Sequence, residues 1–198
     1  TCALPISEKF DVPFCVGGGI RSLEDAQKCL ESGAEKILLG SAAHSNPNLI
    51  TYIAESVGSQ AIVVSVDTFG DSDQVYVRNG KQKTERKLHE YIHLLEESGV
   101  GEILVQDISR DGMRTGLNFA LMEKVLELTN VPVIASCGVG ELQHFEIAAR
   151  MGVSGVAAGS IFQFTEITPA RVARYLRDQG FDVRLLVQDR KSTRLNSS

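Results

Sequence analysis

VPFCVGGGIRSLEDAQKCLESGAEKILLGS at residues 12–41 can be laid on VPVIASCGVGELQHFEIAARMGVSGVAAGS at residues 131–160 with a constant offset of 119 and no gap. The overlay pairs Pro13 with Pro132, Gly19 with Gly138, Leu23 with Leu142, Gly33 with Gly152, and Gly40-Ser41 with Gly159-Ser160. Each copy reads as an apolar strand, a glycine-bearing turn, a helix stopped by a glycine, and a second strand closing on Gly-Ser. Two related β-α-β units about half a barrel apart predict a two-fold (β/α)8 TIM barrel.

The chain between the copies keeps the same rhythm. Strands are expected at 12–16, 36–39, 61–66, 103–105, 131–136 and 155–158, and helices at 23–32, 48–56, 88–97, 119–128, 142–151 and 169–179. Residues 68–84 are polar and turn-rich, with a small hairpin expected around Val75, Val77 and Asn79-Gly80. Continuous apolar strands separated by helices indicate a parallel sheet covered by helices. Six strands are legible where a complete barrel has eight, and barrels of this kind run to about 250 residues. If the repeated unit is third and fourth in its half, the chain holds strands three to eight and the first two β-α units are missing.

The 198 residues fit one domain, and the balance of 43% hydrophobic to 23% charged excludes disorder. A net charge of −5 with no basic cluster argues against nucleic acid. No apolar run approaches the ~20 residues that span a bilayer, so no membrane association is expected. Cys2, Cys15, Cys29 and Cys137 form no Cys-x-x-Cys and stand at no zinc spacing from histidine. They read as buried, inert thiols of a reducing cytoplasm, and no metal or other cofactor is expected. Residues 1–6 and 189–198 look like translated sequencing adapter: Asp189 to Ser192 can be encoded by GATCGGAAGAGC, and 2–6 by nearly its reverse complement. The expected domain is therefore a partial barrel at 7–188, flanked by non-native ends.

Chemistry in such barrels belongs to the C-terminal ends of the strands. Glycines at 17–19, 138, 40 and 159 let backbone N–H groups approach an anion, and Ser41 and Ser160 add hydroxyl donors. Two copies in equivalent places predict two phosphate sites across the barrel mouth; the plainer reading is tight turns alone. Asp67 ends an apolar strand, where a carboxylate can act as general acid or base or simply cap a helix. Arg110 is expected to pair with a nearby carboxylate. His44, His89, His93 and His144 form no triad and are expected on the surface or a partner face.

Residues 11–186 resemble the cyclase subunit of imidazole glycerol phosphate synthase of histidine biosynthesis. The likeness is carried by VPFCVGGGI (12–20), GAEK (33–36), NPNLI (46–50), GSQAIVVSVD (58–67), GEIL (101–104), SRDG (109–112), VPVIAS (131–136), FQF (162–164) and VR (183–184). The resemblance implies a barrel that works with a glutaminase, either as a separate subunit of a heterodimer or as a fused domain. Ammonia passes through the barrel to a phosphoribulosyl-formimino aminoimidazole carboxamide ribotide. The products are imidazole glycerol phosphate and aminoimidazole carboxamide ribotide. It also implies an acid–base pair of Asp residues on strands one and five. Asp67 matches the second, and the first has no counterpart in this chain. By the same likeness, Gly19, Gly40 and Ser41 hold one phosphate of the bisphosphorylated substrate. Gly112, Gly138, Gly159 and Ser160 hold the other, with Asp111 and Ser136 as further substrate contacts. Lys36 and Glu102 match two members of a charged ammonia gate on the opposite face.

Some residues depart from that pattern. Gly40-Ser41 stands where the cyclase usually has Asn-Thr, and Gln106-Asp107 and Met113 are unusual. The run DISRDG (107–112), with Gly116 and Asn118, is similar to the sister isomerase, which acts on the phosphoribosyl-formimino compound. Against the isomerase, no Gly-Trp follows the strand that ends at Asp67, and the FQF and VR segments are cyclase-like. A paralogue that amidates sugars is a third option. A barrel short of two strands exposes its core and edges, so the fragment alone is expected to be inactive.

Overall fold

The computed structural model describes residues 13–183. The expected adapter-like ends, 1–6 and 189–198, lie outside the described residues.

Six strands run parallel in chain order: β1 (Cys15–Gly17), β2 (Lys36–Leu39), β3 (Ile62–Thr68), β6 (Glu102–Asp107), β7 (Val133–Ser136) and β8 (Gly155–Ala157). A hairpin of β4 (Gln74–Val77) and β5 (Gln82–Lys87) leaves the end of β3 and pairs back on it through Asp67 and Tyr76. The helices are α1 (Leu23–Glu31), α2 (Ser41–Ser45), α3 (Asn48–Val57), α4 (Leu88–Glu97), α5 (Phe119–Leu128), α6 (Leu142–Met151), α7 (Ser160–Phe164) and α8 (Pro169–Asp178). The arrangement is a curved, helix-covered β/α half-barrel. Among the described residues, β1 and β8 end the sheet path and do not pair with each other.

The repeat is a structural repeat as well. α1 and α6 begin at Leu23 and Leu142, and α2 and α7 have bounds that differ by the same 119-residue offset. Gly33 and Gly152 both take positive φ, +94° and +92°, just beyond their helices. In the turns after β1 and β7 two consecutive residues have positive φ: Gly18 and Gly19 in one, Cys137 (+73°) and Gly138 (+95°) in the other. Cys137 therefore adopts a backbone conformation that side chains rarely take. The short helices α2 and α7 are an addition to the sequence reading. Five residues are too few to show a period, and both are fixed by the Gly-Ser at their start.

Alternation along the strands separates two faces. Val64, Val66, Ile103, Val105 and Ala135 point outward and are fully buried beneath the helices. Ser65, Asp67, Glu102, Leu104, Gln106, Ile134 and Ser136 point to the concave side and are only half-buried. Cys15, expected to be buried, lies exposed on β1. Edge position is the reason: among the described residues β1 pairs with β2 alone, and no described strand covers its other side. Its thiol is nevertheless pushed up to about 11, by local desolvation and then by the Glu102 carboxylate, so it stays protonated at neutral pH.

One buried polar knot ties the rim together. Asp107, the last residue of β6, is fully buried on the helix side. Its Oδ1 accepts from the Ser109 hydroxyl (2.6 Å), the Ser109 N–H (3.0 Å) and the Gly70 N–H (3.0 Å). Its Oδ2 accepts from the Asn118 amide at 2.8 Å, and Arg110 Nε stands 3.5 Å away. Burial alone would raise this carboxyl, but the bonds from Ser109, Gly70 and Asn118 outweigh it and hold it below the usual carboxylate range. Asn118 meanwhile caps α5, its Oδ1 accepting from the Leu121 N–H at 3.1 Å. Replacing Asn118 with Ala removes a helix cap and one bond to a buried charge. Urea unfolding at neutral pH should show a loss of about 2–3 kcal/mol.

Candidate functional site

All six parallel strands point their C-terminal ends at one rim, and the polar residues singled out from the sequence gather there in two places.

The larger is a cavity of about 390 Å³. Asp111 and Gly112 reach it from the loop after β6, Ser136 and Gly138 from the end of β7, and Gly159 and Ser160 from the end of β8. Every residue expected at the second phosphate position thus lines one space, together with Cys137 and Gln163. Gly138 is required by its surroundings. Besides its positive φ, a Cβ there would stand 2.2 Å from the Gly116 carbonyl oxygen, whose own N–H donates to the Gly138 carbonyl at 2.7 Å. At Gly112 and Gly159 an added Cβ would meet nothing within 4 Å, which leaves room against the backbone for a ligand. The N–H groups of Ser160 and Ile161 begin α7 and have no intrahelical acceptor. Backbone donors, a hydroxyl and open space beside glycine make this cavity suited to an anionic oxygen group. Burial pushes the Cys137 thiol in its wall up to about 11, so it adds no negative charge.

The smaller place is a cavity of about 30 Å³ under the hairpin, lined by Gly40, Ser41, His44, Ser65, Asp67, Tyr76, Asn79 and Tyr91 among others. It has room for one or two water molecules and none for a phosphate. The Ser41 hydroxyl accepts from the Arg78 N–H at 2.9 Å, so the hairpin tip covers this Gly-Ser pair while its counterpart, Gly159-Ser160, is open. Gly19 is not among the lining residues; it sits at the end of β1 with nothing within 4 Å of an added Cβ.

Asp67 sits on the concave face near the end of β3, beside Gln106 of β6 and Tyr76 of β4. It is half-buried, its Oδ1 has no hydrogen-bond partner, and burial raises its pKa above the ordinary carboxylate value. A carboxyl at a strand end whose pKa is raised by burial is suited to proton transfer. At the other end of the barrel, Lys36 of β2 donates to Glu102 of β6 across β3.

Two of the four histidines expected on the surface or a partner face are half-buried and make contacts within the fold. His144 is half-buried, and its Nδ1 accepts from the Gly140 N–H at 3.1 Å and the Glu141 N–H at 3.3 Å, capping α6. His44 is half-buried on α2 and packs against Tyr91, ring centroids 5.5 Å apart. Arg110 pairs with Asp107, as its type suggested. Among the described residues no cluster of His, Cys, Asp or Glu could hold a metal ion, and no helix is long and apolar enough to cross a membrane.

A family model described as histidine biosynthesis protein matches residues 3–168. The imidazole glycerol phosphate synthase subunit HisF of Pyrobaculum aerophilum is 40% identical over 182 residues, covering 91% of this chain and 72% of that protein. The HisF subunit of a Thermotoga strain is 39% identical, with the same coverage of each chain. That of Dictyoglomus thermophilum is 40% identical, covering 91% of this chain and 73% of its own.

The raised pKa of Asp67 has a stability consequence. The folded state binds this proton more tightly than the unfolded chain. Its contribution is therefore present below the unfolded pKa and is lost as pH rises through the folded one. Asp67→Asn removes that loss. Urea titrations from pH 4 to 8 should show the variant gaining stability relative to the parent as pH rises, then levelling off above the folded pKa.

Proposed function

The chain belongs to the histidine biosynthesis protein family, and on that premise we propose that it works as the cyclase barrel of imidazole glycerol phosphate synthase. In this reading ammonia from a glutaminase partner attacks the phosphoribulosyl-formimino ribotide at the rim. Imidazole glycerol phosphate and aminoimidazole carboxamide ribotide leave as products. The setting is the cytoplasm, where the pathway's soluble intermediates lie.

The observation that carries this reading is the 390 Å³ cavity. Six residues from the ends of three strands meet there, on the same rim as Asp67. One substrate phosphate takes the N–H groups beside Gly159, the Ser160 hydroxyl, and the backbone at Gly112 and Gly138. Asp111 and Ser136 contact the substrate beyond it. The other phosphate goes to Gly19, Gly40 and Ser41, which requires the Arg78 N–H to leave the Ser41 hydroxyl. Both groups can then donate to the anion. Asp67 is one member of the acid–base pair, and burial moves its pKa upward, in the direction that suits a general acid or base. Lys36 and Glu102 form part of the ammonia gate at the opposite end of the barrel.

The half-buried concave face and the sides of β1 and β8 that have no strand partner among the described residues support a further element of the reading. Two β-α units precede these six in the whole protein, close the sheet, and bring the second Asp. A second activity is favoured by Gly40-Ser41 and by 107–112, which resemble the sister isomerase. Only the cyclase needs nitrogen, so ammonium dependence separates the two.

The test has two parts. The 198-residue chain, assayed with ammonium and the ribotide, should show no turnover. The chain extended by the upstream reading frame should turn over only when ammonium is present. In that extended chain, Asp67→Asn should lower kcat by about 10²–10⁴-fold. Full activity of the 198-residue chain would overturn the missing-unit reading, and turnover of the isomerase substrate without ammonium would overturn the cyclase. Ser160→Ala should raise KM about 10-fold or more, the loss expected for a hydrogen bond to a charged group.

A further inference from the structure

Four buried side-chain nitrogen or oxygen atoms among the described residues have no hydrogen-bond partner: His44 Nε2, Asp67 Oδ1, Arg86 Nη1 and Tyr91 Oη. They are not scattered. His44, Asp67 and Tyr91 all line the 30 Å³ cavity beneath the hairpin, and the Arg86 guanidinium lies over the Tyr91 ring at 5.6 Å. Buried polar atoms in folded proteins are satisfied nearly always, by protein or by bound water. Tyr91 is only 1% exposed, so its hydroxyl has no access to bulk solvent. The cavity is polar and has the volume of one or two waters, and three polar groups meet the two to four that a buried water requires.

We propose that His44 and Tyr91 are positioning residues for Asp67, joined to its Oδ1 through a water molecule held in this cavity. The proposal rests on Asp67 being the acid–base group of the reading above. The bonds follow from the chemistry of each group. The Tyr91 hydroxyl donates to the water. Burial and then the nearby Arg86 charge keep His44 neutral, so its Nε2 can accept one water proton. The other proton goes to Asp67 Oδ1. Burial, with the Asp67 charge, pushes the Tyr91 hydroxyl far above its ordinary value, so it remains a donor at any working pH.

This water opposes the desolvation of Asp67. A hydrogen bond donated to a carboxylate favours its charged form, whereas burial favours the neutral one. The groups that face Asp67 are few. His44 comes from α2, Tyr91 from α4, Tyr76 from β4, and Gln106 from β6. Of the charged groups around it, Arg86 lies across the Tyr91 ring, Arg78 stands at the hairpin tip over Ser41, and Asp107 lies on the other face of the sheet, fully bonded within its own knot. Hydration thus remains a main control on the Asp67 proton. The three groups that hold the water, His44, Tyr91 and Asp67, belong to three different elements, so the tuning is a property of the fold rather than of a local motif.

The experiment reads Asp67 directly. Carbon-13-labelled aspartate in the full chain is titrated by NMR, with the Asp67 signal assigned by its loss in Asp67→Asn. Tyr91→Phe, which keeps the ring, should raise the Asp67 pKa by about one unit, tenfold in the protonated-to-ionised ratio. His44→Leu should raise it as well, and His44→Gln, which keeps an acceptor near the Nε2 position, should restore it. A crystal structure of the parent chain should show one water within hydrogen-bond distance of Asp67 Oδ1, His44 Nε2 and Tyr91 Oη. An unchanged or lowered Asp67 pKa in Tyr91→Phe overturns the proposal. So does a dry cavity, or a direct bond between Asp67 and either partner. Failure of the acid–base reading looks different: the water and the titration shifts stand, while Asp67→Asn in the extended chain keeps its turnover.

Discussion

The register of β3 against β6 is the constraint on which the rest depends. It is the longest pairing in the sheet, running from Val63 opposite Glu102 to Thr68 opposite Asp107. Side chains alternate, so this one register decides several things together. It places Asp67 and Gln106 on the concave side of the rim and Glu102 on the concave side of the floor. It sends Thr68 and Asp107 outward, under the helices. A one-residue slip of β3 would turn Asp67 into the helix layer and take Val64 and Val66 out of it. The same slip of β6 would turn Asp107 into the barrel, away from the Gly70 and Asn118 groups that satisfy it, and unbury Ile103 and Val105. The apolar pattern forbids either slip.

The rim is held by polar bonds because loops have no apolar periodicity to hold them. Asp107 gathers Gly70 from the segment after β3, Ser109 from its own loop, and Asn118 from the start of α5. A buried carboxylate is stable only when nearly every lone pair is used, and here that requirement orders three segments around one point. The 390 Å³ cavity lies beside this knot. Its geometry also depends on the positive φ of Cys137 and Gly138, which turns the chain sharply after β7 and brings Gly138 against Gly116.

The two halves of the repeat have diverged in what lies above them. Gly159-Ser160 opens on a cavity, whereas Gly40-Ser41 is covered by the tip of the β4–β5 hairpin through the Arg78 N–H. The hairpin also roofs the small polar cavity behind Asp67, so one segment after β3 covers one of the two proposed anion positions and shapes the surroundings of the proposed proton-transfer group. This coupling is invisible to a comparison of the repeated segments alone, because neither copy contains the hairpin.

The sequence by itself determined the order of elements, the repeat, and the residues that gather at the rim. These depend on local signals: Leu23 and Leu142 at equal spacing from glycine stops, apolar runs of strand length, and Gly-Ser pairs at strand ends. Helices at Leu88–Glu97, Phe119–Leu128 and Leu142–Met151 were legible to the residue, since their amphipathic period and end signals agree. Only the tertiary structure decided which Gly-Ser pair is open, that Cys15 is exposed on an edge, and that His44 lies beside Asp67. It also decided that Asp107 is a fully bonded structural anchor. The reason is the same in each case. Local order is set by residues a few positions apart. Burial and partnership are set by residues such as Arg78, Tyr91 and Asn118, whose nearness to Ser41, Asp67 and Gly70 arises only when the strands between them have paired.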